Sequence, residues 1–416
     1  MPRLFTLLTF LALAGCHRPV SQSDAPPLTR EAYVWQQTSS PALDEAVEVA
    51  LPTLDSLSFH AADIRFQRSI ADVQKFPLPW AILKKSGKPV SLVIRIYADI
   101  LHPTLEQIDP LRDLARELLD ATRQAGLTCR EIQLDYDCPD SQIALYANFI
   151  RSLQLEIPEV RLPITALPSW LKSPHFPELA TSAGEYILQV HSLRLPKPTE
   201  KSITLFDPAA AWKALDRATQ IGLPFRLALP TYRCTVIMDA RGKRGSAYSE
   251  NSPPPLEIGQ HYISGTAEPD ELAAFVSQIQ SRRPPHLTGL IWYRLPVSTD
   301  RMNWPWSTFQ LVSQAIAPKS QWEINLDPRP EGFSTITIHN IGQQPELVPS
   351  RVIASWPPNV FLAADALGGY ILEQADTHTY FTPSPTLPPI ILQPGSKLTI
   401  GWLRLTPGNT AKISLE

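Results

Sequence analysis

The segment Glu131-Ile-Gln-Leu-Asp-Tyr-Asp-Cys-Pro139 reads as a core strand that ends in acid. Alternate residues of a strand share a face, so Gln133, Asp135 and Asp137 point one way and Ile132, Leu134 and Tyr136 the other. Burying an unpaired charge is costly. A core strand with two carboxylates and an amide on one face therefore looks onto a polar cavity, an ion or a ligand.

Outward from this segment the chain alternates strands and helices. Strands are expected at 31–36, 56–64, 90–101, 161–167, 186–193, 224–230 and 289–296, with the acidic segment fourth. Helices are expected at 42–50, 104–125, 141–153, 208–221, 268–282 and 306–317. Two of these helices run into Gly126 and Gly222, residues suited to a left-handed C-cap. Eight strand-helix units in about 290 residues fit a (β/α)₈ TIM-type barrel over 31–318. A doubly wound open sheet would carry a glycine-rich turn after its first strand, and none is present. From 319 to 416 the pattern changes to strict alternation, at 334–340, 351–356, 370–374 and 397–405. Short strands joined by Pro/Gly turns predict a small all-β, sandwich-like domain.

The start of the chain bears on its compartment. Arg3 precedes the apolar run from Leu4 to Leu13, and Leu13-Ala14-Gly15-Cys16 follows. A basic start, an apolar core and small residues before a cut site make a secretory signal, here 1–15. The run is too short to span a bilayer. Leu-Ala-Gly-Cys matches the bacterial lipobox, which makes Cys16 the lipidated first mature residue and 16–30 a tether. A membrane-anchored lipoprotein of the cell envelope, facing the periplasm, is the expectation. His17 rather than aspartate after the cysteine favours the outer membrane. The alternative is an N-terminal core helix with a chance cysteine. A net charge of −3 in 416 residues leaves no electrostatic footprint for nucleic acid. The 43 prolines imply many short, stiff connections. Cys129, Cys138 and Cys234 remain, an odd number. Cys138 and Cys234 either pair or serve as small buried hydrophobes. Their spacing fits no zinc site, and no phosphate loop or nucleophile elbow occurs, so neither metal nor cofactor is expected.

Barrel enzymes work at the C-terminal ends of their strands. There the expected strands bring Arg95, Tyr97, Asp135, Asp137, Gln189, His191, Tyr232, Trp292 and Arg294. Acids, amides and flat rings together suit a sugar. Asp135 and Asp137 lie about 6.5–7 Å apart at Cα, on the same side of any substrate, so they do not straddle a scissile bond. A same-side pair suits a mechanism in which one acid protonates the leaving oxygen while the substrate's acetamido group attacks. Asp137 is then the general acid and Asp135 its electrostatic neighbour, with Gln133, Gln189, His191, Tyr232 and Trp292 around the sugar. The competing reading is structural: Asp135 and Asp137 pair with Arg95 and Arg294 inside the barrel.

The segments Ile132-Gln-Leu-Asp-Tyr-Asp-Cys-Pro139, Leu188-Gln-Val-His-Ser-Leu193, Leu229-Pro-Thr-Tyr232, Ile291-Trp-Tyr-Arg-Leu-Pro296 and Gly401-Trp-Leu-Arg404 resemble the bacterial domain-of-unknown-function family 3142. The resemblance runs from about Tyr33 to the C-terminus. A looser resemblance is to the glycoside hydrolase family 18 barrel, with Asp135 and Asp137 at two spaced aspartates of its fourth strand and Trp292 at its eighth-strand tryptophan. It implies a carbohydrate ligand, one containing N-acetylhexosamine. That family's glutamate falls at Pro139, so the donor role passes to Asp137 or Asp140, or the site binds sugar without hydrolysing it.

Overall fold

The computed structural model describes residues 26–67, 70–191, 202–250 and 252–416. Eight strands, here called one to eight, form a closed barrel. They are Thr29–Val34, Ser56–Gln67, Val90–Tyr97, Cys129–Asp135, Ile164–Ala166, Tyr186–Gln189, Phe225–Pro230 and Leu287–Tyr293. Strand one closes it by pairing in parallel with both strand eight and strand two. Helices pack around the outside. Pro208–Ile221 shows why they form where they do: Asp207 accepts from Ala210 N–H at 3.0 Å, Pro208 opens the first turn, and Gly222 closes the last at φ 77.

The order of elements follows the periodicity, with differences at the edges. Strand one begins at Thr29 rather than at 31, and strand three ends at Tyr97 rather than at 101. Strand two runs on to Gln67 and returns as an antiparallel strand, Ile70–Lys75, a hairpin the sequence does not announce. Two short helices, Trp80–Ser86 and Phe176–Ala183, are also unannounced, because seven or eight residues hold too few turns to show a period. Among the described residues no helix is long and apolar enough to cross a membrane. The predicted signal and Cys16 lie outside the described residues.

The barrel interior is filled in layers. At the bottom Arg226, fully buried, meets Glu31 at 2.8 Å, Glu131 at 2.7 Å and Glu185 at 3.4 Å. Arg130 and Arg161 reach Glu31 and Glu131 from the rim. Above this lies a neutral layer, in which the Tyr33 hydroxyl donates to Gln133 Oε1 and Gln133 Nε2 donates to Ser58. The third layer, at the C-terminal ends, carries the candidate site.

Beyond the last barrel helix, Trp306–Ser313, two four-stranded antiparallel sheets follow. One orders Trp322–Pro328, Ser334–Asn340, Lys397–Leu405 and Phe361–Ala366; the other Tyr370–Gln374, His378–Pro383, Val352–Ser355 and Lys412–Leu415. Ile336, Val352, Phe381 and Ile400 are fully buried in a shared core. Gly401 is required there, since a Cβ would lie 2.3 Å from the Phe381 ring.

Candidate functional site

Strand four sets the floor of the site. Its apolar face, Ile132 and Leu134, packs under the helices, while Glu131, Gln133 and Asp135 point inward. Strand three lies beside it with Arg95 in register with Asp135. The Arg95 guanidinium donates to Asp135 Oδ2 at 2.6 Å and to Asp137 Oδ2 at 2.7 Å. Burial acts to lower the Arg95 pKa, and the attraction of Asp135 and Asp137 outweighs it, leaving the cation held above its ordinary value. Asp135 Oδ1 also accepts from Thr165 at 2.7 Å and from Gln189 at 3.4 Å. Asp135 is thus buried and held by three donors, whereas the Asp137 side chain is 44% exposed at the rim.

Over this floor opens a cavity of about 420 Å³. Its walls are aromatic: Tyr33 from strand one and Trp35 just after it, Tyr97 from strand three, Tyr232 after strand seven and Tyr293 from strand eight. The His191 ring stacks on Tyr293, centroids 5.3 Å apart, and burial pushes its pKa down to about 4. Burial raises the Tyr232 and Tyr293 hydroxyls, so both stay neutral donors. Trp35 stacks at 4.2 Å on His60, which is held by Asp63 at 2.8 Å. Burial lowers the His60 pKa against the pull of that carboxylate. A site with flat rings on several sides and a floor of fixed carboxylates, amide and guanidinium can hold a polyhydroxylated ring: stacking on its apolar face, hydrogen bonds at its edge.

Residues 86–298 match the family model described as "Domain of unknown function (DUF3142)". The chain belongs to this family. No protein of curated function matches the sequence. Among solved structures, a chitinase from Chromobacterium violaceum ATCC 12472 is similar at 11% identity and TM-score 0.48, over 70% of this chain and 98% of that one. The spore cortex-lytic enzyme SleL of Bacillus cereus is similar at 13% identity and TM-score 0.49, over 70% and 74%. A family GH18 chitinase from Chromobacterium violaceum is similar at 10% identity and TM-score 0.43, over 93% and 91%.

In this DUF3142 barrel, seven of the expected site residues line the one cavity: Arg95, Tyr97, Asp135, Asp137, Gln189, His191 and Tyr232. Three do not. Gln133 lies one layer below, engaged by Tyr33, Ser58 and Glu131. Trp292 points outward and is 1% exposed, packed on Trp304 and Phe309. Arg294 serves neither aspartate; it pairs with Asp300 and donates to the Ser249 carbonyl. The parity of strand eight is the reverse of that expected, so Ile291 and Tyr293 face inward. Tyr33, Trp35, Thr165 and Ser249 also line it. Tyr33, Trp35 and Thr165 sit at expected strand ends, a signal that marks them; Ser249 carries none. It follows the hairpin of Arg233–Met238 and Arg244–Tyr248, whose basic tip, Arg241 to Arg244, lies in solvent. Cys138 and Cys234 are both free and buried, not paired.

Proposed function

We propose that this DUF3142 protein binds a carbohydrate in the barrel mouth, a glycan containing N-acetylhexosamine. The observation that carries this is the floor of the cavity, where one guanidinium holds two carboxylates beneath a ring of aromatic side chains. Such a floor offers fixed acceptors to sugar hydroxyls and an amide at Gln189. A general acid must arrive protonated and within reach of the leaving oxygen. Here Asp135 and Asp137 are both partners of Arg95, Pro139 supplies no acid beyond them, and Asp140, which accepts from Ser169 at 2.9 Å, does not line the cavity. Binding without hydrolysis is the reading this geometry favours.

A second reading keeps catalysis, with Asp137 as general acid and Asp135 as its electrostatic neighbour. It is favoured by the exposure of Asp137, whose Oδ1 is unengaged by the described residues. Calorimetric titration with N-acetylglucosamine oligomers, beside turnover of aryl N-acetylhexosaminides, separates the two. Binding with no turnover by the wild type supports the first. Turnover that Asp137→Asn abolishes supports the second, and the absence of both refutes a carbohydrate site.

The N-terminus belongs to the same proposal: a protein tethered in the cell envelope through lipidated Cys16, on the periplasmic face of the outer membrane. Its support is the sequence alone, Leu13-Ala14-Gly15-Cys16. Labelling with a radioactive fatty acid, lost in Cys16→Ser, is the test; equal labelling of both refutes it.

A further inference from the structure

We propose that the glycan is an oligosaccharide that crosses from the mouth cavity into a second chamber outside strands two to four. This deepens the carbohydrate reading and rests on it. A cavity of about 620 Å³ lies beside the first, bordered by Arg65 and Gln67 at the end of strand two and by Asp99 beyond strand three. The two cavities have Arg95, Tyr97 and Asp137 in common. The Arg95–Asp137 ion pair is therefore a sill between them, with open space on both sides. Each volume is within the ~300–1,000 Å³ of small-ligand sites, and one sugar ring seated over Asp135 leaves the outer chamber unused.

The chemistry of the outer chamber selects its occupant. Arg65 and Arg95 stand against Asp99 and Asp137, and Asp63 sits behind Arg65 at 3.4 Å. Among the described residues that line it no positive charge is left in excess, which favours a neutral sugar over an acidic one. The dense alternation of donors and acceptors, with the Gln67 amide, suits neutral hydroxyl-rich rings. Tyr97, 37% exposed, carries the Arg65 guanidinium 3.7 Å over its ring and so is held fixed between the chambers. The end of strand two, Arg65 to Gln67, builds this part of the rim.

The test is calorimetric titration of the full chain with N-acetylglucosamine oligomers of two, four and six rings. The tetramer should bind at least tenfold more tightly than the dimer. Gln67 is exposed and borders only the outer chamber. Gln67→Trp places an indole in that chamber and should change the affinity for the tetramer at least fivefold, with dimer binding unchanged. Equal wild-type affinity for dimer and tetramer, or a tetramer indifferent to Gln67→Trp, overturns the second chamber and leaves the first cavity standing. No binding at any length overturns the carbohydrate reading and this extension together.

Discussion

Replacing Arg95 by leucine removes the single cation that Asp135 and Asp137 share. The two halves of the loss are unequal. Breaking a buried ion pair from one side costs about 3–5 kcal/mol, because the other charge stays buried and alone. The Asp135 side chain is 5% exposed and that of Arg95 22%, so solvent relieves part of this. The Asp137 half is a rim contact, 44% exposed, and is worth at most about 1 kcal/mol. Thr165 at 2.7 Å and Gln189 at 3.4 Å remain to Asp135, neutral donors in place of a cation. The expected net loss is roughly 2–4 kcal/mol. Urea unfolding followed by circular dichroism measures it, with Asp135→Leu and the double variant closing a cycle. Since the double variant leaves no buried charge orphaned, it should be at least about 2 kcal/mol more stable than the sum of the singles predicts. Additivity within about 0.5 kcal/mol would refute the coupling.

Strand eight offers a paired contrast. Tyr293→Ala should weaken glycan binding at least tenfold with the fold retained, while Trp292→Ala should cost about 3–5 kcal/mol of stability through a core cavity; calorimetry and unfolding curves on both variants check the assignment, and the opposite pattern rejects it. Arg226→Met strands Glu31 and Glu131, both fully buried, and should cost about 3–5 kcal/mol in the same assay, with a loss below about 1 kcal/mol counting against the buried cluster. His191 should titrate near 4 rather than 6.5. A histidine whose pKa falls on folding stabilises the fold above its unfolded value and loses that contribution as pH falls from about 6.5 towards about 4. The ring proton resonances of His191 should therefore stay flat between pH 8 and 6, and a midpoint near 6.5 would contradict its burial.

The floor of the site was legible because strand four is polar on one face only. Gln133, Asp135 and Asp137 alternate with apolar residues, and that alternation fixes which way each side chain points. Strand eight has no such contrast. Leu290, Ile291, Trp292 and Tyr293 are all apolar or aromatic, as strands covered on both faces are. With nothing to mark the inner face, Trp292 and Arg294 were the expected pair, and Tyr293 is the residue that reaches the cavity. The lower ionic layer was hidden for a different reason. Glu31, Glu131 and Arg226 come from three strands and Glu185 from just before a fourth, all far apart in sequence, and their meeting depends on barrel closure.

That lower layer has a bearing on how the chain can be cut or assembled. Its acids arrive on strands one and four and just before strand six, and the fully enclosed base among them arrives only with strand seven. A fragment ending before Phe225 would have to fold around carboxylates with nothing at the centre to balance them. N-terminal half-barrels of this protein should therefore be poor building blocks: they lack the enclosed counter-ion that only strand seven delivers.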